Sequence, residues 1–98
     1  MGSSLKSARF LIESRLRDAA RGDHNACYDL GIVYSSGAEG VDIDMIEAHK
    51  WFNIAAMSGD ERAQECRAEI AEDMSAREII EAQKSARAWL SETQRRAA

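Results

Sequence analysis

His24, Cys27, His49 and Cys66 are the residues of this 98-residue chain best suited to bind a soft metal, and two histidines with two cysteines make the inventory of a tetrahedral zinc site. His24 and Cys27 stand three residues apart, a spacing at which both could reach one ion from a single helix. His49 and Cys66 fall in separate predicted helices, and no Cys-x-x-Cys or His-x-x-x-His pair completes the set. The expectation is therefore a surface histidine and two small core thiols, with no metal and no other cofactor. Nucleophilic chemistry has less to stand on. The serines fall at predicted caps, in a loop and on polar faces, and no Gly-x-Ser-x-Gly turn is present. The segment SSGAEG (residues 35–40) has two glycines but no lysine and no strand before it, so it is not a phosphate-binding loop. Carboxylates are plentiful but spread along helix faces. The chain reads as a non-enzyme.

The elements that would hold these residues are helices. Proline is absent, and alanine, glutamate and arginine dominate. Leu5, Ala8, Ile12, Leu16 and Ala19 recur at spacings of three and four, which predicts a first helix over 5–20, with Ser3 or Ser4 as its N-cap. Ala26, Leu30 and Tyr34 share one face of a second helix over 23–35, capped by Asp23. Gly31 removes a side chain where another helix must come close. After a glycine-punctuated loop over 36–43, Asp44-Met45-Ile46-Glu47 reads as a capping box opening a third helix to Met57. That helix is apolar on two sides, through Met45, Trp51, Phe52, Ala55 and Ala56, and must be sandwiched between neighbours. A fourth helix over 60–73 carries Ala63, Cys66, Ile70 and Met74. Ser75-Ala76-Arg77-Glu78 is a second capping box, opening a fifth helix over 76–92 with Ile79, Ala82, Ala86, Trp89 and Leu90 on one stripe. The residues beyond it, 93–98, are expected to fray.

The chain also repeats itself. Gly22 and Ala26 recur as Gly59 and Ala63 at an offset of 37, and EAHK at residues 47–50 recurs as EAQK at 81–84. The positions Ala26, Leu30, Gly31, Tyr34, Gly37, Gly40, Val41, Asp44, Ala48, Trp51, Ala55, Ala56, Gly59 and Ala63 together resemble the Sel-one-like repeat, a relative of the tetratricopeptide repeat. The resemblance implies an all-α fold, a short α/α solenoid of five helices and about two and a half repeats. It divides the single domain 1–98 into a half repeat over 5–22, a full repeat over 23–59 and a modified repeat over 60–92. It departs from the family pattern where Arg67 and Ala68 replace a Leu-Gly pair and Ser14 stands in place of a tryptophan. Such repeats usually serve as interaction scaffolds without chemistry of their own. Secreted members use disulfides within repeats, but Cys27 and Cys66 are not at equivalent positions.

In stacked helical pairs of this family the first helix of each pair lines the inner surface. The corresponding strip is Asn25, Tyr28, Ile32 and Ser35 on the second helix and Arg62, Glu65, Glu69 and Glu72 on the fourth, apolar in one part and acidic in the next. Tyr28 and Ile32 either stand exposed there or pack against the first helix. The strip points to a protein or peptide partner, with basic residues to match the glutamates. The net charge of −4 argues against nucleic acid and against an anionic membrane surface. No apolar run approaches a membrane span, and residues 1–10 lack the apolar core of a secretory signal, which with two cysteines fits a reducing cytoplasm. Phe10 lies off the first helix's stripe, and Trp89 and Leu90 lie near the chain's end with no later repeat to cover them. These three residues predict self-association as a homodimer, and a self-associating scaffold is the alternative function.

Overall fold

The computed structural model describes residues 3–97, with side chains over 7–96. The expected Ser3 or Ser4 cap and the packing of Leu5 lie outside the described side chains. Five α-helices follow in order, α1 Ser3–Ala20, α2 His24–Ser36, α3 Met45–Ala56, α4 Glu61–Ala71 and α5 Ala76–Ala97, with a short 3-10 turn Ala38–Gly40 between α2 and α3. No strand occurs among the described residues, and the chain is all-α. Helix α5 continues through the segment expected to fray, with Glu92 paired to Arg95 at 3.2 Å and to Arg96 at 3.1 Å in its last turns. No described helix is long and apolar enough to cross a membrane.

Helix α3 is the centre. It packs on α2, α4 and α5, while α1 closes on the far side of α2. The sequence explains this placement, because α3 buries Ala48, Trp51, Phe52, Ile54, Ala55 and Ala56, residues from almost its whole circumference. Trp51, Phe52 and Leu30 are the largest side chains sealed from solvent. Gly31 makes the α2–α3 approach possible, since a Cβ there would sit 2.5 Å from the Phe52 ring. Helix α5 lies against α3, sinking Ala82 and Ala86 and setting Trp89 edge-on to Trp51 with ring centroids 5.0 Å apart. Helix α4, its predecessor in the chain, has no comparable contact with α5 and buries Ala63 alone.

The turn before α2 and the turn before α4 are built alike. Gly22 and Gly59 both take left-handed φ, at 91° and 89°, which a side chain would resist. Each is followed by an aspartate whose Oδ1 accepts from two amides of the new helix, Asn25 and Ala26 for Asp23, Arg62 and Ala63 for Asp60. The alanine that completes each turn is buried.

The two expected capping boxes part company. Ser75 and Glu78 form the complete box, the Glu78 amide donating to Ser75 Oγ at 3.1 Å and the Ser75 amide to Glu78 Oε1 at 2.8 Å. At α3 only half of it forms, the Glu47 amide donating to Asp44 Oδ1 at 3.1 Å. The Asp44 amide already donates to the Tyr34 carbonyl at 2.9 Å. The Glu47 carboxylate is released to accept from Trp51 Nε1 at 3.0 Å, and Lys50 Nζ lies 3.8 Å from it.

Candidate functional site

The starts of α2 and α4 lie side by side, and there two equivalent residues meet. Arg62 Nη2 donates to Asn25 Oδ1 at 3.1 Å, a bond between positions 37 residues apart. Arg62 is also held by its own cap, with Nε 3.1 Å from Asp60 Oδ1 and Nη2 2.9 Å from Asp60 Oδ2. Its side-chain bonds are the main reason that the Asp60 carboxyl lies below the usual carboxylate range, against the opposing pull of burial, with the Ala63 amide helping. So fixed, the guanidinium lies 4.1 Å over the Tyr28 ring in a cation–π contact.

Tyr28 is therefore not a free aromatic, and the contacts that hold it come from α3 and α4. It is half-buried, leaning on Phe52 of α3 with centroids 5.8 Å apart and roofed by Arg62 of α4. Burial raises the pKa of its phenol, the neighbouring Cys66 adds to the rise, and Arg62 works against it. Ile32 is likewise half-buried against the core, and Ser35 returns its hydroxyl to the Ile32 carbonyl at 3.2 Å. Asn25, Arg62, Glu65, Glu69 and Glu72 are exposed. The expected apolar section of the strip is thus largely built into the core, and what α4 offers to solvent is polar and acidic.

At the ends of the chain, Phe10 is 68% exposed, as its place off the stripe implies. Trp89 and Leu90 are not left uncovered. Both are half-buried, Trp89 against Trp51, because α5 folds across α3 and needs no later repeat to cover them. Large apolar residues left exposed elsewhere are Ile43, Met57 and Ile80.

The candidate metal ligands do not converge. Among the described residues no three His, Cys, Asp or Glu side chains come together as an ion would need. His24 Nδ1 instead shares a 2.7 Å hydrogen bond with Ser58 Oγ, tying the two turns together on their outer side. Both cysteines are free; Cys27 is buried, and burial together with Asp23 pushes its thiol up to about 11, so it is held as an inert thiol.

Two residues carry more than their sequence positions suggest. Glu47 serves as the acceptor for the buried Trp51 indole instead of closing a cap. His49 is 3% exposed with Nδ1 buried and unpartnered. Burial, reinforced by the Arg67 charge, holds it below the ordinary histidine pKa and hence neutral. Arg67 itself is anchored to Asn53 Oδ1 at 2.6 Å. The pattern of α3 hints at His49, which falls on the Met45–Phe52–Ala56 stripe, but a histidine between Ala48 and Lys50 gives no sign that its ring goes unbonded. Comparison with known protein families, characterised proteins and solved structures gives no match to this chain.

Proposed function

We propose that the chain is a non-catalytic interaction module of the Sel-one-like repeat kind, binding a basic peptide or protein segment along the α2–α4 face. The observation that carries the reading is the Asn25–Arg62 bond between equivalent positions, which sets like faces of α2 and α4 side by side. Arg62 is spent on Asp60, Asn25 and Tyr28, so the free charge of the face belongs to Glu65, Glu69 and Glu72, all exposed. A row of exposed carboxylates on one helix favours a partner with lysines or arginines at matching spacing and speeds its encounter. A reducing, cytoplasmic setting belongs to the same proposal and rests on the cysteine usage.

Charge reversal tests it. With a lysine-rich helical peptide as probe, Glu65→Lys with Glu69→Lys is expected to weaken binding and to flatten its dependence on salt. Both side chains are exposed, so the melting temperature should stay close to that of the parent. An affinity indifferent to both substitutions would remove the site from this face.

A further inference from the structure

We propose that the cleft where the two Gly-Asp turns meet the end of α5 binds a small, flat apolar molecule bearing one hydrogen-bonding group. The cleft encloses about 380 Å³, within the few hundred cubic ångströms typical of small-ligand sites. Its lining comes from the two turns, from Cys27 of α2 and Ile54 of α3 and from the last turns of α5, and a volume of that size suits a compact molecule better than an extended peptide. The floor is apolar, made by Cys27, Ile54, Trp89 and Leu90. Trp89 is braced T-shaped against the buried Trp51, which makes its indole a fixed wall.

Both turns contribute to the rim of the cleft. The α3–α4 turn contributes Met57, and the position equivalent to it before α2 is Ala20, an exposed residue whose small side chain leaves that edge of the cleft open. The polar side chains of the lining are Arg21, His24, Ser58, Thr93 and Gln94, and all but the half-buried Thr93 are exposed and so belong to the mouth. Thr93 lines the cleft, but its hydroxyl is within bonding distance of the Trp89 and Leu90 carbonyls, at 3.0 and 3.1 Å, and is committed to its own helix. The His24–Ser58 pair is exposed, and each partner keeps hydrogen-bonding capacity beyond their shared bond. An apolar body on the floor with a hydroxyl or carbonyl at His24–Ser58 matches that polarity. The site includes no residue of the α2–α4 strip and does not depend on it.

Naphthol and naphthalene are suitable probes, titrated into the full chain and followed by NMR, with sedimentation run in parallel. Naphthol is expected to bind once per chain, moving the Trp89 indole N–H and the Cys27 and Ile54 amides. Ala20→Trp fills the cleft from an exposed position and should weaken both probes by about tenfold or more with the melting curve retained. Ala20→Leu serves the same purpose if the larger residue disturbs folding. His24→Ala should weaken naphthol a few-fold and leave naphthalene unchanged. Shifts confined to other surfaces would overturn the proposal, and so would binding that survives both Ala20 variants. A dimer whose interface covers the cleft would also overturn it, since the occupant is then a second copy of the chain.

Discussion

The contact between Gly31 and Phe52 shows how much rests on a missing methyl group. Alanine is the better helix former by about 1 kcal/mol, so an isolated α2 would gain from Gly31→Ala. In the folded chain the added carbon meets the Phe52 ring at 2.5 Å, and that ring is 1% exposed with no room to retreat. The substitution should therefore destabilise by roughly 1–3 kcal/mol in urea denaturation, and the loss should shrink in a Phe52→Leu background. His49 sets a second expectation at this scale. Folding lowers its pKa, so as pH falls through about 6.5 the unfolded chain takes up a proton that the folded one resists. Stability contributed by neutral His49 is full above that value and declines below it. Urea midpoints at neutral and mildly acid pH should differ less in His49→Leu than in the parent; an unchanged difference would mean that other groups set the acid response. Gly31 was legible from its place beside Leu30. His49 was not, because neither periodicity nor spacing reveals whether a ring nitrogen finds a partner.

Among the elements, the two aspartate caps invite a direct comparison. Asp23 and Asp60 receive the same pair of helix amides, but Asp60 alone also holds an arginine side chain. Asp23→Ala should remove about 1 kcal/mol, the usual value of a cap. Asp60→Ala should remove more, because Arg62 loses the anchor that keeps it over Tyr28. Equal losses in denaturation would show that the guanidinium stays in place without Asp60. The same comparison shows what capping patterns in a sequence can and cannot convey. Ser75-Ala76-Arg77-Glu78 forms its reciprocal bonds because nothing else competes for either amide. Asp44-Met45-Ile46-Glu47 has the same signature, but a carbonyl ten residues back, that of Tyr34, reaches the Asp44 amide first. Helix positions, the first cap of α2 and the duplicated turn were all readable from local spacing. Competition from distant groups was not.

At the scale of the molecule, the two-sided apolar pattern of α3 already implied a central helix. The destination of α5 was hidden, since the Ala82–Ala86–Trp89 stripe says that it packs and is silent on what it packs against. That difference bears on assembly. With Trp89 set against Trp51, one of the two aromatics expected to drive pairing is occupied, and Phe10 alone remains largely bare. Sedimentation at micromolar concentration should accordingly give a single species near 10.9 kDa; a species of twice that mass, abolished by Phe10→Glu, would restore the dimer. The Asn25–Arg62 bond has a further implication for the order of the units themselves. A carboxamide can both give and take a hydrogen bond, whereas a guanidinium can only give. A third turn of the same build, set after α4 and offering a guanidinium of its own at that position, would find a donor where α4 found an acceptor. The step is a one-way coupling, like a link with a socket on one side only. Arg62→Asn would give it a socket on both.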